Sequence, residues 1–548
     1  MTVHMPVSRH KALHRPLIVK LSRLSRVSRS PLTAPVKWWT AFVCLVIVAR
    51  AVWILSGGPR RIVFFVPDDA FYYFITATNF ADTGEWTFDH GLSHTTGVQW
   101  LHAYALAGLS WLMKPKPGLR LVYLAIVLST ACAVAGAVVT VRFVRRTCGE
   151  VAAASLALPL LSMGFLKGAS SGMEWGWVVL ISSIIFAIFS RLGSAPLPRR
   201  QALGLLALGL LLELARSDAG ALAAATLAGT GLVACWRPNR PAMHGAGMLL
   251  AGATLGLLLT LGHTYALSGH LLSGSVRIKM LWGTRSSFSL RPFGDLLLSA
   301  IGIPQRGRST PVLAVLAVLI LAAAAAPALR KPIPWLQALT LQQANLCALS
   351  LCSLLIYSLL FGLNPSVLSW YTSLIALPVC VLVAACSQGA WRAGRPAMQM
   401  VAAVFWCALV GYAVIDGFIE RGHMQLLYYK AALRLGQELP GATVGCWSCG
   451  ILSFFSAGPG RPPLINLDGL MNDDVYPYIE ANDLASYVVG NRIHYVLDES
   501  AYIEERRARV LGGYDSEQFL KMLTVIERFP YSETATDSTV PSLYRLDY

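Results

Sequence analysis

VPDDAFYYFITATNFADTGEWTFDHGLSHTTGVQW, residues 66–100, follows the first long apolar run of the chain and carries Asp68, Asp69, Asp82, Glu85 and Asp89. Residues 1–419 hold only eleven Asp and Glu in all, so five of them sit in this one stretch. Acids collected beside a membrane segment are costly unless they are paired or put to use. Apolar runs flank the stretch at about 38–56 and 97–113, which makes it a loop outside the hydrocarbon.

The surrounding composition agrees. The 548-residue chain is 55% hydrophobic and 13% charged, with a mean hydropathy of +0.56. Soluble domains carry roughly 25% charged residues. Half that share, with apolar runs recurring along the chain, describes a polytopic α-helical membrane protein and excludes a soluble core of this size. The net charge of +17 is uneven: residues 1–419 carry 34 Lys and Arg against 11 acids, and residues 420–548 carry 11 against 17. The basic excess therefore belongs to the membrane part, where Lys and Arg mark cytoplasmic loops and headgroup contacts. There is no separate basic domain to bind nucleic acid.

Three regions follow. Residues 1–37 hold eight Lys and Arg and no acid, and read as a cytoplasmic basic segment, either a tail or a helix lying on anionic lipid. Residues 38–419 are the membrane region, with apolar runs at about 38–56, 97–113, 119–141, 151–168, 174–191, 201–215, 217–236, 243–266, 311–328, 344–362, 367–388 and 398–418. If every run crossed, Arg142, Arg145 and Arg146 would fall outside. If 97–113 instead stays on the outer side, these arginines, Arg191/Arg199/Arg200, Arg237/Arg240, Arg330/Lys331 and Arg392/Arg395 all fall inside. About eleven transmembrane helices then remain, with the N-terminus in, outer loops at 57–118 and 268–310, and the C-terminal region out. Residues 420–548 alternate short β-rich runs (TVGCW, PLINLDG, RIHYVLD) with helical stretches at Ala481–Val489 and Ser516–Val525, and read as a small extracytoplasmic α/β domain. Gly450, Gly458 and Gly460 do not form a dinucleotide fingerprint. Nine of the eleven cysteines lie in or beside apolar runs; Cys446 and Cys449 form the one close pair, read as packed thiols or a plain disulfide.

The parity of the spans brings Asp68, Asp69, Glu174, Arg216, Asp218, Arg277, Lys279, Trp370 and Tyr371 to the outer side. Acids and cations facing one outer cavity suit group transfer from a lipid-linked donor: a carboxylate takes a proton from an acceptor hydroxyl, and cations stabilise a departing phosphate. Each residue has a plainer reading. Asp68 or Asp69 caps a helix over 70–81; Arg216 and Asp218 tie two helix ends; the basic loop 268–310 touches headgroups. His90 and His94, with Asp68 or Asp69, are candidate ligands for a divalent metal, although their spacing matches no known signature.

The ordered set PDDAFYYFITATNFADTG, SHTTGVQW, SGMEWGW, LARSDAG, SGSVRIK, Trp370-Tyr371, GILSFF and INLDGLMND resembles bacterial integral-membrane glycosyltransferases of the GT-C superfamily, over nearly the whole chain beyond the basic N-terminus. That superfamily includes protein O-mannosyltransferases, the lipid A aminoarabinose transferase and arabinosyltransferases. The resemblance implies transfer, usually with inversion, from a polyprenyl-phosphate sugar to a glycan, lipid or protein acceptor of the cell envelope, at the outer face of the inner membrane. It maps the catalytic acid onto Asp68, with Asp69 in place of the usual Glu, and an aromatic beside the acid onto Tyr72. It matches Arg277 and Lys279 to the region that binds donor phosphate, and Arg216 is a further candidate to hold that phosphate. His94, Gln99, Glu174, Asp218, Trp370 and Tyr371 complete the expected substrate pocket, with Thr96-Gly97 standing where relatives have Asn-Gly before Gln99. The rival class is a transporter or flippase for a lipid-linked sugar. That class favours repeated halves and charges at the bilayer midplane, and neither is evident here.

Overall fold

The computed structural model describes residues 34–114, 118–193, 195–301, 339–363, 369–393, 396–419, 424–439, 441–457, 464–503, 516–529 and 540–547. The apolar run 311–328, most of the basic N-terminal segment, and Arg306, Arg308, Arg330, Lys331 and Arg395 lie outside the described residues.

Helices α1 (Ala34–Ser56), α2 (Asp68–Thr83), α3 (Trp100–Leu112) and α4 (Gly118–Cys148) open the chain. Further along come α5 (Trp175–Phe189), α6 (Arg199–Ala215), α7 (Ala221–Ala234), α8 (Arg240–Ser268) and α9 (Gly274–Thr284). Helices α10 (Leu341–Gly362), α11 (Thr372–Ala393) and α12 (Pro396–Phe418) complete the membrane region. Six described helices, α1, α4, α8, α10, α11 and α12, are long and apolar enough to cross a membrane. The run at 151–168 is not one straight span. It breaks at Leu161 and Ser162 into Glu150–Leu160 and Met163–Ala169, bent by 70°, and makes a seventh crossing if the pair counts as one. Helix α3 has 13 residues, about 20 Å at 1.5 Å per residue, short of the roughly 30 Å hydrocarbon core.

The helix expected over 70–81 starts earlier, at Asp68, and its N-cap is Pro67 in extended conformation with no side-chain cap bond. Both aspartates thus sit in the first turn, where the helix dipole favours negative charge, and neither spends its carboxylate on capping.

Residues 444–546 contain a five-stranded sheet: β1 (Val444–Cys446), β2 (Leu464–Asn466), β3 (Tyr495–Glu499), β4 (Leu523–Arg528) and β5 (Pro541–Leu546). Its order is β2-β1-β3-β5-β4. The first three strands are parallel, with Val444 opposite both Leu464 and Tyr495, and β5 runs antiparallel between β3 and β4. The three β-rich runs of the sequence are β1, β2 and β3. The stretch Ser516–Val525 is helical only over Glu517–Lys521 before it enters β4, whose Thr524, Val525 and Ile526 suit an extended edge.

One buried cluster fills the helical bundle. A second runs from the end of α1 through Phe71 and Phe74 of α2 to Leu426, Cys446, Ile451, Leu497 and Leu543, so the sheet and the first outer loop share a core. A third joins Ile278 and Trp282 of α9 to Trp447, Ile465 and Val496. Within α1 the fully buried Arg50 donates to the carbonyls of Leu166 (2.8 Å) and Gly417 (2.8 Å) and to Ser170 Oγ. Those carbonyls stand in or beside helix ends, where backbone acceptors lack intrahelical partners. Glu213 also turns inward, buried against Gly220 and Gly256.

Candidate active site

The charged cluster is assembled around Tyr371, which follows Trp370 in a short 3₁₀ turn leading into α11. The Arg216 guanidinium lies 4.3 Å from the centre of the Tyr371 ring, and Lys279 Nζ donates to the Tyr371 hydroxyl at 3.1 Å. Trp370 bridges the bundle core and the core shared with the sheet. At Arg216 the backbone leaves α6 in extended conformation (φ −164°, ψ 119°), which turns the side chain back toward the helix ends. Arg216 donates from Nη1 to Glu174 Oε1 at 2.9 Å, from Nε to Asp218 Oδ1 at 2.7 Å, and from Nη2 to Asp218 Oδ2 at 3.2 Å. Glu174 precedes α5 and is 3% exposed, so this pair lies out of reach of solvent. The tie between Arg216 and Asp218 expected from the sequence is present, and Glu174 extends it. Gln99 joins the same joint: its Oε1 accepts from Ser217 N at 3.0 Å, and its own N–H donates to the Tyr73 hydroxyl at 3.3 Å.

Asp68 and Asp69 part company here. The Asp68 carboxylate accepts from Gly450 N at 3.1 Å and Ile451 N at 2.7 Å, at the start of α13 (Gly450–Ser456). Burial pushes its pKa up, against the pull of these amides and of Tyr72. Asp69 faces the charged joint instead. Burial first, then the negative charges of Asp68 and Glu174, push it up to about 7, opposed by Lys279 and Arg216. Burial pulls the Lys279 ammonium down, but Tyr371 and Asp69 hold it above its ordinary value. Tyr72 turns from the pocket to the sheet, donating to the Trp447 carbonyl at 3.1 Å and accepting from Cys449 N at 3.1 Å.

Two expected members lie elsewhere. Arg277 and Lys279 both belong to α9, and residues two apart on a helix point about 200° apart. Lys279 reaches Tyr371, whereas the Arg277 guanidinium stacks on Tyr476 at 4.5 Å and faces Asp473. Arg277 Nε and Nη2 are buried with no hydrogen-bond partner among the described residues. His94 is exposed and supplies its backbone carbonyl to Asp473 N at 3.0 Å. Close by, Thr96 Oγ1 donates to Asp473 Oδ2 at 2.7 Å and accepts from Gly274 N at 2.9 Å, so the first loop, α9 and the 468–473 turn meet at one junction.

His90 is exposed as well, and no three His, Cys, Asp or Glu side chains come together as metal ligands among the described residues. Asp68 is engaged by two amides, Glu174 by Arg216, and Asp69 lies within the field of two cations. A divalent ion here would compete with two amides for Asp68, with Arg216 for Glu174, and with Lys279 and Arg216 for Asp69.

Sequence reasoning passed over Asp468, which is buried, accepts from Leu470 N at 2.7 Å and acts electrostatically on both Asp69 and Tyr72. It also passed over Tyr73, beside Glu174. The one signal for Asp468 was an acid two residues after the short strand β2.

No family model matches the chain, and no curated protein matches it. Solved structures do. ArnT from Cupriavidus metallidurans, bound to undecaprenyl phosphate, aligns with a TM-score of 0.52 at 14% identity, covering 92% of this chain and 98% of that one. The archaeal oligosaccharyltransferase AglB from Archaeoglobus fulgidus, in complex with an inhibitory peptide and a dolichol-phosphate, aligns with a TM-score of 0.54 at 13% identity, covering 92% of this chain and 74% of that one. Over 92% of its length the chain therefore shares the fold of ArnT and AglB.

Proposed function

We propose that the protein is a glycosyltransferase that moves a sugar from a polyprenyl-phosphate donor to a hydroxyl of a cell-envelope glycan, lipid or protein. The observation that carries this reading is the charged cluster around Tyr371. Asp69, from the first outer loop, lies within the field of Lys279 and Arg216 from far along the chain, and both cations engage that one tyrosine. The lipid phosphates bound by ArnT and AglB support a donor of that class.

In this reading the acceptor oxygen attacks the anomeric carbon as the bond from that carbon to the phosphate oxygen breaks. The acceptor proton passes to Asp69, and the polyprenyl phosphate leaves with its negative charge facing the cations. A base with a pKa near 7 suits that task. Asp69 thereby takes the role that the resemblance implied for Asp68, and Asp68, held by two amides, is its fixed partner. Lys279, with a single hydrogen bond among the described residues, is the cation for the departing phosphate, while Arg216 is already matched by two carboxylates. Arg277 acts at the junction with Asp473. No step runs through a metal.

The topology that goes with this reading is the one of about eleven crossings expected from the sequence; its run at 311–328 lies outside the described residues, and α5 and α7 are shorter than the six long helices. It keeps the N-terminus in the cytoplasm of a bacterial cell and places residues 420–548 as a periplasmic domain at the inner membrane. The test is Asp69→Asn in purified protein supplied with undecaprenyl-phosphate sugars. Transfer should fall by at least about 10²-fold, as for loss of a general base, while the melting transition persists. Full activity in that variant would sink the mechanism, and flux of lipid-linked sugar without chemical turnover would favour a flippase.

A further inference from the structure

The acidic and cationic sides of the pocket both rest on one short turn, Cys446–Gly450. A disulfide between Cys446 and Cys449 closes it, with the two Cα atoms 5.4 Å apart. On the acidic side, the N–H groups of Gly450 and Ile451 hold Asp68, and Tyr72 is clamped between Trp447 O and Cys449 N. On the cationic side, the indole of Trp447 stacks on Trp282 with ring centres 5.8 Å apart and planes 17° apart. Trp282 lies on α9 three residues after Lys279, on an adjoining face of the same helix. The turn is itself anchored: Trp447 N donates to Asp498 Oδ2 at 2.9 Å, Asn466 Nδ2 donates to Trp447 O at 3.2 Å, and Tyr502 also stacks on the Trp447 indole, with ring centres 5.4 Å apart. Position 450 admits only glycine, because a Cβ there would overlap the Asp68 carbonyl oxygen.

We infer that the disulfide-closed turn Cys446–Gly450 is a positioning element of the reaction proposed above, setting the spacing between the Asp68–Asp69 carboxyls and the Lys279 ammonium. The inference rests on the transferase reading. None of the turn's residues touches reacting atoms; they act through Asp68 and through α9. A displacement of about 1 Å at such a site costs on the order of 10²-fold in rate. Gly450→Ala imposes a displacement of that order, and the Cys446→Ser/Cys449→Ser pair removes the closure.

Both variants are made in the full chain in lipid nanodiscs and read in two ways. Hydrogen–deuterium exchange follows the amides of Gly450 and Ile451, which depend on Asp68 for protection. Turnover of undecaprenyl-phosphate mannose and undecaprenyl-phosphate arabinose gives kcat and KM. We expect both variants to melt cooperatively and to lose protection at those amides, with kcat down by about 10²-fold in Gly450→Ala and KM for the lipid-linked sugar nearly unchanged. A staple with no positioning role would lower only the melting temperature, leaving kcat per folded molecule as in the wild type, and that result would overturn the inference. So would unchanged amide protection in both variants, whatever the reaction. Loss of protection, in a protein that turns over neither donor even as wild type, would remove the transferase reading and with it the catalytic role of the turn, while leaving its hold on Asp68.

Discussion

At Asp69, pH acts on the fold and on the chemistry with opposite sign. Burial and the neighbouring carboxylates hold its pKa at about 7, against an ordinary 3.8. The folded state therefore binds this proton more tightly than the unfolded chain. The stability it contributes is present at acid pH and is lost as pH climbs from the ordinary carboxylate range through about 7. Asp69→Asn removes that loss, so in thermal melts the variant and the wild type should unfold together near pH 4, and the variant should unfold at the higher temperature at pH 8. Transfer runs the other way: a base must be ionised, so the wild-type rate should rise with pH along a limb centred near 7, read as a property of the Asp68–Asp69 pair. A rate flat from pH 5 to 8 would exclude Asp69 as the base. This residue was visible in the sequence because carboxylates are scarce before residue 420. Asp468 was harder to see, because it lies among the seventeen acids of residues 420–548 with only its place after β2 to mark it.

Among elements, the joint between α6 and α7 and the single helix α9 carry most of the site. Arg216 sits 5% exposed between Glu174 and Asp218. Removing one partner of a buried pair leaves an uncompensated charge and costs about 3–5 kcal/mol. Arg216→Leu should therefore lower the melting temperature sharply, and Glu174→Gln added to it should restore part of the loss. Additive effects in that cycle would mean that the pair is not coupled. Helix α9 separates two cations that a loop reading had treated as one cluster. Lys279→Ala should depress turnover with little change in thermal stability, and Arg277→Ala should weaken the junction at Thr96, Gly274 and Asp473, appearing first as increased exchange in residues 93–99. Equal kinetic effects of the two substitutions would contradict this separation. The six long helices were legible because apolar length alone marks them. The course of 268–284 was not, since its basic residues disguise a helix whose apolar face, Ile278 and Trp282, packs on the sheet.

Across the whole molecule, the region that differs most in composition is the least separable in structure. Residues 420–548 look like a detachable domain by charge, yet their apolar side chains complete the core around α2. Phe71 and Phe74 are fully buried, and Phe454 packs edge-on against both, with ring centres 5.2 and 6.3 Å away. Exposing an aromatic side chain of this kind costs roughly 1.5–3 kcal/mol, and the Asp68 carboxylate would lose both of its amide donors at once. A chain ending at Ile419 should therefore insert in the membrane with its long helices intact but fail to order the first outer loop. Limited proteolysis would report this as new cleavage within residues 66–100, together with loss of any retained undecaprenyl phosphate. If the truncated chain kept that loop protected, residues 420–548 would be an appendage, and the site would have to be completed by the membrane region alone. The two outcomes differ because one core, rather than a linker, joins the sheet to the loop that bears Asp69.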